Sequence, residues 1–419
     1  MASLIAVRGG NPLEGEVKAS GAKNAALPAI VASLLTEEPL VLSGVPRLLD
    51  VETQLSLVEA LGKEVRWEGQ RVVISGALSR DEAPAEIVSR MRASFLALGP
   101  IVVRLGRARV PLPGGCVLGA RPVDLHLHVL ERLGASVELR DGVALAPAGR
   151  MRGRRIWLRY PSVGATEQAL LVGAMIPGET EVVNPAREPE VADLCGLLRC
   201  MGAEVEVRPD RIIVRGRREL RGCEYRIIPD RIEAGTYLLA GAITRGRVRV
   251  EGAVPEHMDA LIALLEESGL EVSRGEGGVE VDARGRSWVG IEVETAPYPG
   301  FPTDLQPPLT AFLTLAQGKS ILRETVFESR FGHVGELLRM GARIGVHDRT
   351  ISVQGVAELK GVDLRATDIR AGAALVLAAL AAQGTSRISG VEHIRRGYEN
   401  ILGKLALLGA EVWEEESAT

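Results

Sequence analysis

A short motif that recurs six times is the feature of this sequence that most constrains its fold. The copies read LGKEV, LGASV, MGAEV, SGLEV, MGARI and LGAEV, and their glycines are residues 62, 134, 202, 269, 341 and 409. The first three copies map onto the last three with a constant offset of 207 residues. Because repetition at a fixed period indicates repeated structural units, the chain is predicted to consist of two halves of three units each.

The same order of patterns surrounds each motif. An apolar helical stretch runs through a turn into a strand, as in LLAGAITRGRVRVEGA, and a second helix then ends in the motif. Two segments with strand character follow, as in EVEVRPDRIIVRG. The motif glycine is predicted to end the second helix in a left-handed conformation. Each unit is therefore predicted as helix, strand, helix, strand, strand, and the chain as a mixed α/β protein.

The two ends of the chain predict how the halves are assembled. The last unit ends EVWEEESAT and lacks a final strand, whereas IAVRG at 5–9 matches IIVRG at 212–216 with the offset of 207. We therefore expect the first strand to complete the last unit. The predicted domains are residues 1–21 with 229–419, and residues 22–228. Each contains three units, and ligands are expected in a cleft between the two domains.

Composition and charge argue against several classes of function. Arginine far outnumbers lysine among the 50 basic residues, but 54 acidic residues outnumber both together, so nucleic-acid binding is not expected. The N-terminus lacks a signal-peptide pattern and no apolar run is long enough to span a membrane, so we expect a cytoplasmic protein. The four cysteines form no CxxC pair and no metal-ligand spacing, which predicts reduced thiols and no structural metal.

Departures from the repeat mark candidate sites, and the clearest is VPLPGGCVLGARPVDLHLH at residues 110–128. This segment places Cys116 after two glycines, in a loop before the Arg and Asp that open the next helix. Nearby cations or a helix N-terminus would stabilise the thiolate or tune its proton affinity. The alternative is an inert lone thiol.

Two further departures place a charged residue in an unusual position. SGAKNAALP puts Lys23 and Asn24 just before an apolar helix, where they could meet an anion at the helix N-terminus. The alternative for Lys23 is an exposed lysine in the first helical turn. FPTDLQPP holds Asp304 between prolines, in a rigid turn that can fix the direction of a carboxylate. The alternative for Asp304 is an ordinary helix N-cap.

Other polar segments lie in both halves. TDIRAG and RRGYEN supply Asp368, Arg370 and Arg396 in the same half as Asp304, and YPSVGAT supplies a Ser-Val-Gly helix start in the other half. Arginine is so common in this chain that each of these arginines alone indicates little.

Taken together, these segments resemble one enzyme family. They are SGAKNAALP, MRAS, PGGCVLGARPVDLH, PSVGATE, AREPE, PDRIEAGT, FPTDLQ, ETVFESRF, TDIRA and RRGYE, and they resemble the UDP-N-acetylglucosamine 1-carboxyvinyltransferases along the whole chain. The resemblance implies an inside-out α/β barrel fold with two domains of three units. It also implies transfer of the enolpyruvyl group of phosphoenolpyruvate to the 3-hydroxyl of UDP-N-acetylglucosamine, the first committed step of peptidoglycan synthesis.

The resemblance further implies the roles of individual residues. The residues implied to bind phosphoenolpyruvate are Lys23, Asn24, Arg121 and Arg396. The residues implied to bind UDP-N-acetylglucosamine are Arg92, Arg121, Pro122, Val123, Asp124, Leu125, Ser162, Val163, Gly164, Asp304 and Val326. The residues implied to support the site are Asp368, Arg370 and Arg330.

The implied reaction is an addition followed by an elimination. Asp304 would take the hydroxyl proton, the sugar oxygen would attack, and Cys116 would protonate the methylene carbon before phosphate leaves. Lys23 and Arg396 would offset the charge that develops on the ligand, so neither a metal nor another cofactor is implied. A loop at 111–122 would act as a lid. In this family the cysteine is alkylated by fosfomycin, so the protein is expected to be sensitive to it.

Two residues depart from the pattern of some family members, and two other functions compete with the implied one. Leu96 stands where some members have Trp, and Tyr160 where some have Lys, which can change contacts to the nucleotide. An enolpyruvylshikimate-phosphate synthase would share the repeat but would use a shikimate ester as acceptor. A non-catalytic nucleotide-sugar-binding protein would keep the Arg121 and Ser162 segments but need not retain Cys116, Asp304 and Lys23 together.

Overall fold

The structure is a computed structural model that describes residues 3–114, 123–275 and 277–416. The helices of the described residues are α1 (Lys23–Ala32), α2 (Leu49–Ala60), α3 (Ala85–Val88), α4 (Leu98–Leu105), α5 (Asp124–Leu133), α6 (Val163–Gly173), α7 (Pro189–Cys200), α8 (Arg231–Ile243), α9 (Asp259–Glu267), α10 (Gln306–Leu313), α11 (Val334–Arg339), α12 (Ile369–Ala381), α13 (Val391–Arg395) and α14 (Ile401–Leu407). Short 3₁₀ helices span Ser33–Leu35, Arg92–Ala97, Pro255–His257 and Thr303–Leu305.

The strands of the described residues are β1 (Ser3–Arg8), β2 (Glu14–Lys18), β3 (Leu40–Ser43), β4 (Glu64–Glu68), β5 (Arg71–Ser75), β6 (Arg107–Pro111), β7 (Glu138–Arg140), β8 (Val143–Pro147), β9 (Arg155–Trp157), β10 (Glu179–Val183), β11 (Glu204–Val207), β12 (Arg211–Arg215), β13 (Glu224–Arg226), β14 (Arg247–Glu251), β15 (Glu271–Gly275), β16 (Gly278–Asp282), β17 (Glu292–Glu294), β18 (Lys319–Arg323), β19 (Arg343–His347), β20 (Thr350–Gln354), β21 (Asp363–Arg365), β22 (Thr385–Ser389) and β23 (Glu411–Glu416).

The described residues form two compact units, which we name for their place in the sequence. The terminal unit contains residues 3–20 and 229–416, and the central unit contains residues 21–114 and 123–228. The chain therefore leaves the terminal unit after Ser20 and returns to it after Ile228.

Apolar helices form the interior of each unit. In the terminal unit α8, α10 and α12 pack against one another, and in the central unit α4 and α7 pack against α6. Helix α12, IRAGAALVLAALA, is apolar apart from Arg370 and is buried along nearly its whole length. Such a helix has no polar face to turn to water, so it is stable only in an interior. No helix among the described residues is both long and apolar enough to cross a bilayer.

The strands form small sheets at the surface, and five of the sheets share one topology. In the sheet with the order β21-β22-β1-β23, β21 pairs parallel with β22, and β1 pairs antiparallel with both β22 and β23. The orders β13-β3-β5-β4, β9-β10-β12-β11, β2-β14-β16-β15 and β17-β18-β20-β19 repeat this arrangement. The first strand of the chain thus occupies the place that β5, β12, β16 and β20 hold in the other sheets.

Two details of the predicted fold need correction. The predicted unit lacked the parallel edge strand, which is β2, β9, β13, β17 or β21 in these five sheets. Most of these strands are only three residues long, too short for alternation to be visible in the sequence. The described strands also form six separate sheets, and none of them closes into a barrel. The α/β class itself is confirmed.

The motif glycines adopt the backbone conformation predicted from the sequence. In chain order their φ angles are 113°, 105°, 98°, 98°, 97° and 90°. Residues with a Cβ atom rarely adopt such values, whereas glycine does so at little cost. The glycine of each motif therefore allows the chain to turn from the second helix of a unit into the following strand.

Candidate active site

The carboxylate of Asp304 lies between two buried arginines of the terminal unit. Arg330 donates from Nη1 to Oδ1 at 2.6 Å, and Arg370 donates from Nη2 to Oδ2 at 2.9 Å. Both arginine side chains are 5% exposed, whereas that of Asp304 is 24% exposed. Asp304 lies inside a 3₁₀ helix and caps no helix with its side chain, so the alternative of an ordinary N-cap is wrong.

Arg370 is held by contacts on three sides. Asp368 caps α12, because its Oδ1 accepts from the backbone N–H groups of Arg370 at 2.9 Å and of Ala371 at 3.0 Å. Arg370 Nη1 also donates to the hydroxyl of Tyr398 at 3.2 Å. Burial alone would lower the pKa of Arg370, but Asp304, Tyr398 and Asp230 together outweigh burial and raise it. The guanidinium therefore remains a fixed positive charge.

Arg330 is anchored by the residues around it. Its Nη1 also donates to Thr303 Oγ1 at 3.1 Å, and its guanidinium carbon lies 4.5 Å from the centre of the Phe327 ring. Val326 is half-buried and donates its backbone N–H to Glu324 Oε1 at 2.8 Å. Two cations and one carboxylate are thus clustered, an arrangement that suits an anionic ligand next to a proton acceptor.

Arg396 lies beside this cluster in the fold. It follows α13, and the next residue is Gly397. A Cβ atom on Gly397 would lie 3.7 Å from Arg370 Nη1, so this part of the chain passes close to Arg370.

Lys23 is buried in the central unit. It is the first residue of α1, is 6% exposed, and its Nζ lies 3.1 Å from Oδ2 of Asp50. The alternative of an exposed lysine in the first turn is therefore wrong. Asp50 lies in the first turn of α2, and its carboxylate orients the ammonium group. Asn24 follows Lys23 and is half-buried.

A serine caps the helix that was predicted to meet the nucleotide. Ser162 is the N-cap of α6, and its hydroxyl accepts from the backbone N–H of Ala165 at 3.3 Å. Val163 and Gly164 are the first two residues of the helix, where backbone N–H groups have no acceptor inside the helix. This helix end can therefore donate to an anion.

His126 packs directly on this helix start. A Cβ atom on Gly164 would lie 2.7 Å from His126 Nε2, so only glycine leaves room for the imidazole. His126 is buried, and its Nδ1 lies 3.4 Å from Gln168 Oε1. Burial lowers the pKa of His126 to about 4, with a further contribution from Arg92. The imidazole is therefore neutral at physiological pH.

The other predicted residues of the central unit are also placed, with three exceptions. Arg92 begins the 3₁₀ helix Arg92–Ala97 and is half-buried. Val123 is buried, and Asp124 and Leu125 begin α5 half-buried, with Asp124 paired to Arg159. Cys116, Arg121 and Pro122 lie outside the described residues.

Two of the described cysteines, Cys195 and Cys223, do not suit nucleophilic chemistry. Burial raises the pKa of Cys195 to about 12, and burial with a contribution from Cys200 raises that of Cys223 to about 12. Thiols with so high a pKa are poorly ionised and weakly nucleophilic. Among the described ranges, no group of His, Cys, Asp or Glu is arranged to hold a metal ion.

Sequence reasoning missed several residues of the site. Asp50 carries only the signal of an acidic residue near a helix start, which is common. Tyr398 and His126 lie within segments that were singled out, RRGYEN and RPVDLHLH, but no pattern assigned them a contact. Their importance appears only from the side chains that they touch.

Comparison with known proteins places this geometry in a family. The family model described as EPSP synthase (3-phosphoshikimate 1-carboxyvinyltransferase) matches residues 7–405. A UDP-N-acetylglucosamine 1-carboxyvinyltransferase from Shewanella amazonensis is 46% identical over 411 residues, covering 97% of this chain and 98% of the relative. One from Fervidobacterium nodosum is 46% identical over 416 residues, covering 98% of each chain.

Solved structures agree with this assignment. The enolpyruvyl transferase NikO from Streptomyces tendae superposes with a TM-score of 0.90 at 29% identity, over 100% of both chains. An EPSP synthase from Acinetobacter baumannii shares the fold with a TM-score of 0.76 at 17% identity, over 99% of this chain and 100% of that one. The chain therefore belongs to the enolpyruvyl transferase family, in the branch of the UDP-N-acetylglucosamine 1-carboxyvinyltransferases.

Proposed function

We propose that this protein transfers the enolpyruvyl group of phosphoenolpyruvate to the 3-hydroxyl of UDP-N-acetylglucosamine and releases phosphate. The observation that carries the proposal is the exposed edge of the Asp304 carboxylate between Arg330 and Arg370. A proton acceptor for a sugar hydroxyl and two cations for an anionic co-substrate lie within one cluster. The name of the relatives gives the acceptor, UDP-N-acetylglucosamine, and the group that is transferred, a 1-carboxyvinyl group.

The proposed reaction has an addition step and an elimination step. Asp304 takes the proton of the 3-hydroxyl while the sugar oxygen bonds to C2 of phosphoenolpyruvate, and the Cys116 thiol gives its proton to C3. The resulting ketal carries a methyl group and the phosphate. The Cys116 thiolate then takes back a methyl proton while phosphate leaves, which forms the carbon–carbon double bond of the product.

The contacts of Asp304 add a requirement to this reaction. Both of its carboxylate oxygens accept from arginines, so neither faces a hydroxyl alone. An incoming carboxylate or phosphate competes for the same guanidinium groups. We infer that the sugar hydroxyl donates to a second lone pair of one Asp304 oxygen, so the requirement is that Arg330 and Arg370 keep the carboxylate in place while the anion binds beside them.

The remaining residues bind the two substrates. Phosphoenolpyruvate binds to Lys23, Asn24, Arg121 and Arg396, whose positive charges offset the charge that develops on phosphate. UDP-N-acetylglucosamine binds to Arg92, residues 121–125, Ser162, Val163, Gly164, Asp304 and Val326. The first N–H groups of α6 suit its diphosphate, because a helix N-terminus attracts anions.

The setting of the reaction follows from the charge of its substrates. Both are phosphorylated anions, which do not enter the apolar core of a bilayer unaided. We therefore place the reaction in the cytoplasm, with these small molecules rather than nucleic acid or membrane lipid as partners.

Phosphate release is the measurement that tests this function. The protein is incubated with phosphoenolpyruvate and either UDP-N-acetylglucosamine or shikimate 3-phosphate, the acceptor that the name of the family model suggests. We expect release only with the nucleotide sugar. Release only with the shikimate ester would assign the activity of a 3-phosphoshikimate 1-carboxyvinyltransferase. No release with either acceptor would refute the proposal that the protein transfers an enolpyruvyl group.

Variants test the roles of the residues. Asp304→Ala and Cys116→Ser are expected to lower kcat by about 10²-fold or more, the contribution typical of a positioned acid or base. Asp282→Asn and Cys200→Ser are the matched controls, since Asp282 pairs with the surface residue Arg284 and Cys200 is an exposed thiol. Equal losses in the variants and their controls would contradict the assigned roles.

A further inference from the structure

A buried histidine next to the Asp304 cluster has no hydrogen-bond partner among the residues that the structure describes. His333 precedes α11, is 0% exposed, and neither of its ring nitrogens is paired within the described part of the chain. Buried polar groups are almost always paired, either with protein or with ordered water. The imidazole of His333 therefore requires an explanation.

Two more buried polar atoms of the same region lack a partner among the described residues. They are Nε of Arg330, three residues before His333, and Oγ1 of Thr367, the residue before Asp368. Gly332 brings these segments together. A Cβ atom on Gly332 would lie 2.5 Å from Thr367 Oγ1 and 3.5 Å from Oδ2 of Asp368. The turn that contains Gly332 and His333 therefore lies close to Thr367 and Asp368.

The charges of Asp368 and Arg330 both act on His333. Burial lowers its pKa to about 3, while Asp368 acts to raise the pKa and Arg330 to lower it. The imidazole is therefore neutral, with one nitrogen that donates and one that accepts. Asp368 Oδ1 is taken by two backbone N–H groups, so Oδ2 is the oxygen that faces this turn.

We propose that His333 is a positioning residue which, together with Thr367, binds one buried water molecule that links Asp368 to Arg330. Such a water can accept from Arg330 Nε and from the imidazole, and donate to Asp368 Oδ2 and Thr367 Oγ1. A buried water typically makes about three hydrogen bonds, within a range of about two to four, so these partners suffice to hold it. The link holds the guanidinium of Arg330, and Arg330 in turn holds Asp304.

The kinetic test rests on the proposed function, because Asp304 is its proposed base. His333→Phe keeps a ring of similar size without polar atoms, His333→Gln keeps a donor and an acceptor, and Gly332→Ala pushes on Thr367. Ser386→Ala is the control. Like Thr367, Ser386 has a buried hydroxyl without a partner among the described residues, but it lies on β22 and not in the turn of His333.

We expect a loss of kcat rather than of substrate affinity. His333→Phe and Gly332→Ala lower kcat by about tenfold or more, the effect of a displaced catalytic group, while the KM values stay within about threefold. His333→Gln recovers kcat to within about threefold of wild type, and Ser386→Ala matches wild type. Urea unfolding confirms that each variant is folded. A folded Phe variant with wild-type kcat, or a folded Gln variant as poor as the Phe variant, overturns the proposal.

A crystal structure of the wild-type protein separates this proposal from the proposed function. Ordered density for a water within hydrogen-bond distance of His333, Thr367 and Asp368 supports the site even if the enzyme acts on another acceptor. Direct contact of His333 with these side chains, with no water between them, overturns it.

Discussion

Replacing Asp50 by asparagine removes the charge that faces Lys23 while keeping the shape of the side chain. The two groups are 3.1 Å apart, and their side chains are 8% and 6% exposed. At an effective dielectric constant of about 20, two unit charges at this distance attract by about 5 kcal/mol. Removing one partner of a buried pair typically costs about 3–5 kcal/mol, because the other charge stays buried. Since asparagine can still accept a hydrogen bond, we expect a loss of about 3 kcal/mol in the free energy of unfolding.

The assay is urea unfolding of the wild type, Asp50→Asn, Lys23→Met and the double variant. The double variant should be more stable than the sum of the two single losses predicts, because it removes both charges of the pair together. Glu206→Gln is the control: Glu206 pairs with Arg208 in the same unit, but both side chains are nearly half exposed. It should leave the free energy of unfolding nearly unchanged, because exposed ion pairs contribute little to stability.

The same variants connect stability to binding. If Asp50 orients Lys23 toward phosphoenolpyruvate, Asp50→Asn should also raise the KM for that substrate by about tenfold, or about 1.4 kcal/mol. A stability loss below about 1 kcal/mol, or a coupling energy between the two positions indistinguishable from zero, would refute the reasoning that the pair acts as a buried unit.

Three further predictions concern other parts of the molecule. Gly164→Ala places a methyl group 2.7 Å from His126 Nε2 and should raise the KM for UDP-N-acetylglucosamine by about tenfold. Gly335→Ala is the control and should leave this KM unchanged, because there is open space around Gly335. Equal KM values for the two variants would contradict a close approach of Gly164 to His126. Burial raises the pKa of Glu233 from 4.5 to about 7. Between these two pH values the folded state keeps a proton that the unfolded chain has released, so stability is lost as pH rises from about 4.5 through 7. Urea unfolding at several pH values should show this decline, on the order of 2–3 kcal/mol, in the wild type and not in Glu233→Gln. Fosfomycin should abolish phosphate release and add one covalent adduct, located by mass spectrometry on Cys116; full activity with an unmodified thiol would count against its role.

The sequence predicted most of the fold because the repeat is carried by local patterns. Each motif glycine marks a helix end that requires a positive φ. Because glycine adopts such a φ at little cost, the requirement is visible in the sequence as a glycine at that position. The offset between residues 5–9 and 212–216 predicted a strand for the last unit, and β1 indeed pairs with β22 and β23. The parallel edge strands were missed because a segment such as Glu224–Arg226 becomes a strand only through its neighbour β3.

The candidate site was predictable to a smaller extent. Unusual local contexts marked Lys23 and Asp304, since a lysine before an apolar helix and a carboxylate between prolines depart from the repeat. No local pattern indicated the partners of these residues. Asp50 is 27 residues from Lys23, and His333 looked like any other residue of its segment.

The six units, their helices, their strands other than the parallel edge strands, and the family of the chain could all be predicted from the sequence, because these depend on short-range pattern and on the identity of residues. Only the folded structure shows that two distant arginines donate to the two oxygens of the Asp304 carboxylate. They are Arg330 and Arg370, which are 26 and 66 residues away from Asp304 in the chain. The physical reason is that buried charges must be paired with each other or with polar groups, and only the folded chain brings distant residues close enough to pair.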